Sequence, residues 1–247
     1  MIRNQVSISL ETYTTLLEKE NLGEAHSTLV GGGLFYPAEE SHRRDVRVLA
    51  ELRQQGLVDG ARISDDFLET LTVMQRAAVE YYTFFAHAGG EQETVRTAAI
   101  GRDAVLVVHR NKTIEISPIP VEQLGVRVAA ALPETPAAQV HSMSCDNADL
   151  EAIIKDKSLP LNNSVRDAKR MKRWLDKDRI NVGQLCAGVR DGLGGRKSTK
   201  APMPCWIDTE SGRVLLTPTS SGWVNLVGAG LQTISGALQD LEKELRR

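Results

Sequence analysis

The chain has 247 residues, of which 41% are hydrophobic and 25% charged, and its formal net charge is −2. That length allows one large domain or two small ones around a sizeable core. The near-neutral charge and the 4% of aromatic residues argue against a surface built for nucleic acid or an anionic membrane, and against base stacking.

The first twenty residues, MIRNQVSISLETYTTLLEKE, hold no apolar signal core with a small-residue cleavage site, the pattern of a cytoplasmic protein. Val6 and Ile8 alternate with polar residues and predict a short strand. Ser9 then caps a helix with Leu10, Tyr13, Leu16 and Leu17 on one face and Gly23 as its stop. Gly31-Gly32-Gly33 before Leu34-Phe35-Tyr36-Pro37 reads as a flexible turn, because the strand, lysine and hydroxyl of a phosphate cradle do not follow in frame. Residues 45–55 predict a helix with Val46, Leu49 and Leu52 inward and Gly56 at its end. Residues 57–60 form a turn. Ser64 or Asp65 caps the next helix, which buries Phe67, Leu68, Leu71, Met74 and Ala78.

Residues 80–86 are strand-like and lead into a polar loop, His87-Ala88-Gly89-Gly90-Glu91-Gln92-Glu93. Three more strands follow at 94–100, 104–109 and 113–117, separated by turn residues at 101–103 and 111–112. Pro120 opens a helix lined by Val121, Leu124, Val128, Ala131 and Leu132. Residues 133–140, rich in proline and alanine, read as a linker. Asp146 or Asn147 caps a helix with Leu150, Ile153 and Ile154 inward, and Leu159-Pro160 ends it. Ser164 opens another, with Val165, Ala168, Met171, Trp174 and Leu175 as its apolar side.

The segment from Gly183 to Trp223 organises the second half. Runs of strand length at 184–190, 204–208, 213–217 and 223–226 alternate with turn signals, which predicts an antiparallel meander. A helix follows with Val227, Leu231, Ile234, Leu238, Leu241 and Leu245 along one seam. Four strand-like runs and a helix occupy residues 80–132, and the same order occupies 184–245. The expected fold is therefore α+β: a central antiparallel sheet flanked by helical layers. Two halves, 1–136 and 137–247, share that sheet about an approximate two-fold axis.

No complete catalytic or metal signature occurs. In the stretch 192–199 Arg196 separates Gly195 from Lys197, so the nucleotide motif fails, and a mobile hairpin loop is expected there. The five histidines have no ligand spacing, which leaves no metal or cofactor site to assign. Cys145, Cys186 and Cys205 form no CxxC pair and read as reduced, buried thiols. Without an apolar run of eighteen residues no membrane span is expected. Arg166, Lys169, Arg170, Lys172, Arg173, Lys177 and Arg179 make one helix basic. A solvated face is the plain reading, with Trp174 beside it leaving a protein contact open. An adaptor binding an acidic partner through 166–179, and an enzyme whose site assembles only in the fold, remain alternatives. Edge strands leave a homodimer open as well.

One order of residues resembles the EspG family of type VII (ESX) secretion-associated proteins. It comprises Gly183-Gln184, Val189-Arg190-Asp191, Gly195-Arg196-Lys197, Ala201-Pro202, Trp206-Ile207-Asp208-Thr209, Gly212-Arg213 and Gly222-Trp223-Val224, then the terminal helix. The segment 51–59, ELRQQGLVD, is similar to the family's first half. Met203 and Cys205 depart from the pattern. The resemblance implies a cytosolic chaperone that binds PE–PPE heterodimers, or a similar helical secretion substrate, and does no chemistry. It implies contact through the loop His87–Glu93 and the C-terminal helical layer. The candidate partner-binding residues are thus His87, Ala88, Gly89, Gly90, Glu91, Gln92 and Glu93, with Trp174 and Trp223.

Overall fold

Ser9 turns the first strand into the first helix. Its hydroxyl accepts from Thr12 N–H, the N-cap bond that alternation followed by a serine predicts. The computed structural model describes residues 1–30, 38–60 and 62–247, so the glycine turn expected at 31–37 lies outside the described residues. The first half runs β1 (Val6–Ser9), α1 (Leu10–Lys19), α2 (Ala38–Gln54), the small hairpin β2 (Val58–Asp59) and β3 (Arg62–Ile63), and α3 (Asp65–Arg76). Then come β4 (Val79–His87), β5 (Gln92–Ile100), β6 (Asp103–Arg110), β7 (Thr113–Pro118) and α4 (Leu124–Ala130). The second half runs β8 (Met143–Asp146), α5 (Asn147–Ile154), α6 (Asn163–Leu175), β9 (Asn181–Arg190), β10 (Arg196–Ser198), β11 (Cys205–Thr209), β12 (Gly212–Pro218), β13 (Trp223–Gly228) and α7 (Leu231–Leu245).

One antiparallel sheet joins the halves. Its order is β1-β7-β6-β5-β4-β9-β11-β12-β13-β8, with β10 paired to β9. The seam is β4 against β9, from Val79 opposite Val189 to His87 opposite Asn181. Outward from the seam each half repeats the same plan. Three strands of a meander are followed by an edge strand from the start of that half, which leads directly into a helix. This is the repeated α+β architecture expected from the sequence.

Side chains alternate between the two faces of the sheet. On one face α4 and α7 cover Tyr81, Phe85, Val95, Leu185, Trp206 and Leu215 with Leu124, Val128, Ile234 and Leu238. Full burial of each such aliphatic side chain contributes roughly 1.5–3 kcal/mol. The other face carries two separate cores. α1 and α3 pack Tyr13, Phe67, Leu71 and Met74 on Val105, Val107, Ile114 and Ile116. α5 and α6 pack Leu150, Val165 and Met171 on Cys145, Ile207, Val214 and Leu226. All three cysteines are free, and burial pushes the thiols of Cys145 and Cys186 up to about 11.

Both edges of the sheet are closed by the helix lying alongside. On β1 the outward N–H groups of Ser7 and Ser9 donate to Gln55 Oε1 at 3.2 Å and Glu51 Oε1 at 2.6 Å. On β8 the N–H groups of Ser144 and Asp146 donate to Asp167 Oδ2 at 3.3 Å and Ser164 Oγ at 2.9 Å. An open edge invites a further strand, and these side chains occupy that position.

Several local expectations are corrected. α1 ends at Lys19, with Asn21 at φ 51° and a Leu22 N–H to Leu17 O bond of 2.9 Å, so Asn21 and not Gly23 closes it. α2 begins seven residues before Asp45, and the shifted stripe buries Val48 and Leu52 while Val46 is 57% exposed. Ala78 lies beyond α3, and Val227 belongs to β13 and not to the terminal helix. Asn162, two residues ahead of the expected start, caps α6. β8 went unread, and residues 196–198, expected in a mobile loop, are a strand. The proline-rich stretch is no loose linker. Pro136 O accepts from Arg213 N–H at 2.7 Å, Ala138 N–H donates to Arg213 O at 2.9 Å, and Ala137 bridges Arg213.

Candidate partner-binding site

Strand β4 ends where β9 begins, and this end of the sheet carries most of the expected contact residues. The expected seven-residue loop is shorter. His87 closes β4, and Gln92 and Glu93 already belong to β5, which leaves residues 88–91 as the turn. Its backbone is well tied. His87 N–H donates to Glu91 O and Gly90 N–H to His87 O, both at 2.9 Å. Gly90 sits at φ +85°, a conformation that costs a glycine little. Ala88 N–H donates to Ile180 O at 2.9 Å, so the tip leans on the connection from α6 to β9. Ala88, Gly89, Gly90, Glu91 and Gln92 are exposed.

A polar network lies beneath the turn. His87 Nδ1 is 2.7 Å from Asn181 Oδ1, and its Nε2 is 3.0 Å from Glu93 Oε1. Glu93 also holds Arg110. Asn181 passes the chain inward, donating Nδ2 to Asp208 Oδ2 at 2.9 Å. Asp208 is fully buried, and Arg213 grips it with Nε to Oδ1 at 2.6 Å and Nη2 to Oδ2 at 2.9 Å. Thr135 Oγ1 donates to Oδ2 at 3.0 Å, and Arg213 Nη2 donates to Pro133 O at 2.7 Å. The guanidinium lies over the Trp206 ring at 4.7 Å, and Trp206 Nε1 donates to Thr83 Oγ1 at 3.2 Å. A buried ion pair keeps its geometry only when its remaining donors and acceptors are met, as they are here.

These residues explain pieces of the sequence pattern. Asp208 and Arg213 are register partners across the β11–β12 hairpin. Opposite charges five residues apart around a tight turn were the signal that sequence reasoning missed. Gly183 lies under the indole, where a Cβ would fall 2.6 Å from Trp206. Gly212, at φ +102°, leaves room for the proline-rich strap of residues 133–138, where a Cβ would meet Pro136 O at 2.8 Å.

Trp174 sits at the same end of the molecule, in the last turn of α6. Lys177 Nζ lies 4.3 Å from its ring centre and donates to Ser211 Oγ at 2.6 Å. Beside them opens a groove of about 450 Å³, with Val140, Met143 and Trp174 as apolar lining and Arg170, Arg173 and Lys177 as its cations. Part of the basic helix face thus borders a cavity. Trp223 is not brought to this place. It pairs with Asp146 at the far end of β13 and is 41% exposed there. Among the described residues no helix is long and apolar enough to cross a membrane.

One large antiparallel sheet, two repeated half-units and helices on both faces define the class: a pseudo-symmetric α+β protein. The chain belongs to the EspG family, whose model matches residues 9–240. Among solved structures it is similar to the type VII secretion system chaperone EspG5 of Mycobacterium tuberculosis, determined in complex with the PE25–PPE41 dimer. The TM-score is 0.73 at 14% identity, over 98% of this chain and 96% of that one. At that identity the likeness is one of fold. No curated protein matches the chain.

Proposed function

We infer that this chain is a cytoplasmic chaperone of type VII secretion that binds a PE–PPE-type helical heterodimer and keeps it soluble. Membership of the EspG family over residues 9–240 carries the reading. Support comes from the related fold, seen in a chaperone bound to the PE25–PPE41 dimer. The work asked of the molecule is to cover apolar surface on a partner, which needs complementary shape and no reactive centre. The exposed turn 88–91 and the Trp174 groove lie at one end and form the contact surface. Residues 1–136 and 137–247 act as two halves of one rigid body, with the sheet as spine.

Co-expression with PE–PPE pairs from the same genome, followed by size-exclusion chromatography, tests this. A stable ternary complex with at least one pair is expected, and failure with every pair sinks the reading. Trp174→Ala removes an aromatic anchor and should weaken binding by about tenfold or more, as loss of such an anchor does, with only a small fall in Tm because the ring is half-buried against the α5–α6 core. Unchanged binding would move the contact surface elsewhere and leave the chaperone role intact.

A further inference from the structure

The opposite end of the β4–β9 seam holds a polar cavity of about 210 Å³. Glu80, Arg96, Arg190 and Arg196 line it, with His26 and the exposed Glu24. The carboxylate of Glu80 is already spoken for. Arg96 donates Nε to Oε2 at 2.9 Å, and its Nη2 lies 2.6 Å from the same oxygen. Arg196 donates Nε to Oε1 at 2.7 Å, with Nη2 at 2.6 Å. Gly188 makes room for this carboxylate, since a Cβ there would lie 2.5 Å from Oε1. Burial pushes the Glu80 carboxyl upward, but His26 and the guanidinium groups outweigh it and hold the group well below the usual carboxylate range. Thr28 N–H donates to His26 Nδ1 at 3.2 Å, and His26 Nε2 lies 2.8 Å from Arg196 Nη2 and 3.5 Å from Glu80 Oε2.

Two arginines remain incompletely met. Arg96 is 2% exposed, and its Nη1 is buried with no hydrogen-bond partner. Arg190 gives its terminal nitrogens to Gly194 O at 2.8 Å and Gln75 O at 3.5 Å, while its Nε is buried without a partner. Among the described residues Arg190 has no carboxylate within ion-pair distance. Its register partner across β9 and β10 is Arg196. Like charges directly opposite on neighbouring strands repel, and a buried donor on a charged group costs its full desolvation when unmet. A tight turn enforces the pairing. Asp191 Oδ1 accepts from Leu193 N–H at 3.0 Å and Gly195 N–H at 2.7 Å, and this folds β10 back on β9. Three guanidinium groups also outnumber the two carboxylates of the lining.

We propose that this cavity binds a small oxyanion of the phosphate class, held between Arg190, Arg196 and Arg96. Guanidinium forks match phosphate oxygens, and the ion relieves the repulsion between the paired arginines. The cavity is smaller than the roughly 300 Å³ at which pockets for larger ligands begin, so the ligand is a free ion or a phosphoryl group on a partner side chain, and not a nucleotide. The site is separate from the partner-binding end and takes a different ligand.

Titration of inorganic phosphate into the full chain at constant ionic strength, read by phosphorus NMR line width and by Tm, tests the proposal. Saturable binding at one site is expected, displaced by sulfate and not by chloride. Arg190→Gln should weaken it by about tenfold or more, the loss expected for one charge-assisted contact, and leave the phosphate-free Tm within a few degrees. Phosphate and sulfate also raise stability by exclusion from protein surfaces. A Tm rise that never saturates and is equal in wild type and variant therefore overturns the site. Acetate binding as tightly as phosphate overturns the phosphate class. O-phosphoserine binding as tightly as phosphate supports the site and assigns its ligand to a partner side chain, whereas weaker binding supports a free ion. If Arg190→Gln does not fold, sulfate displacement on the wild-type chain decides, and its absence overturns the proposal.

Discussion

The two ends of the β4–β9 seam hold similar ingredients in different states of completion. At the His87 end, a buried carboxylate, Asp208, meets Arg213, Asn181 and Thr135, and the strap supplies a carbonyl for the guanidinium. At the other end, the buried carboxylate of Glu80 is shared by two arginines, and among the described residues a third arginine has no carboxylate and two guanidinium nitrogens lack partners. The contrast separates two uses of a buried charge. A network with every group answered acts as a clasp, and one with donors left over is prepared for something from outside.

Breaking the clasp gives the largest expected effect. Asp208→Ala leaves Arg213 buried and unpaired, and chemical denaturation should show a loss of about 3–5 kcal/mol. A loss under 1 kcal/mol would mean that water replaces the carboxylate and that the clasp is not closed. Next comes the strap that the clasp holds. A Cβ on Gly228 would lie 2.1 Å from Ala138 O, so Gly228→Ala should cost about 1–3 kcal/mol through forced displacement. A neutral result would show that the strap yields freely.

The smallest effect sharpens the comparison through pH. Burial, the largest influence, holds the His26 pKa below its ordinary value of 6.5. The unfolded chain then binds the proton more readily than the folded one, and stability falls as pH drops below about 6.5. Glu80 behaves differently. Its folded pKa is depressed, so its contribution is present above the ordinary carboxylate value and is lost only in stronger acid. His26→Asn should flatten the fall in Tm between pH 7 and 5 and leave the loss in stronger acid in place. An unchanged slope would show that His26 is not the group that titrates.

Much of this architecture was legible in the chain. Apolar runs bounded by turn residues located the strands of both meanders, and the repeated order of strands and helix pointed to the pseudo-symmetry. What escaped had weak local signals. β8 is four residues long and sits at an edge, and its Asp146 reads equally well as a helix cap. β10 is Arg-Lys-Ser, a sequence that looks like loop until pairing with β9 fixes it. Val46 fits a stripe with Leu49 and Leu52, but the buried stripe runs through Val48 and Leu52, four residues apart, and leaves Val46 exposed. The candidate site was half visible. The turn and Trp174 were named separately and meet at one end, whereas Trp223 lies at the other, because strand direction and not sequence distance decides which end a residue reaches.

The capped edges of the sheet bear on how such a molecule is counted. Eleven strands with bare margins would serve as a template for fibre growth whenever copies crowd together. With Glu51, Gln55, Ser164 and Asp167 stoppering the margins, lateral accretion stops at one chain's width. Any contact between copies, or with another molecule, then falls to turns and helix faces and not to added strands.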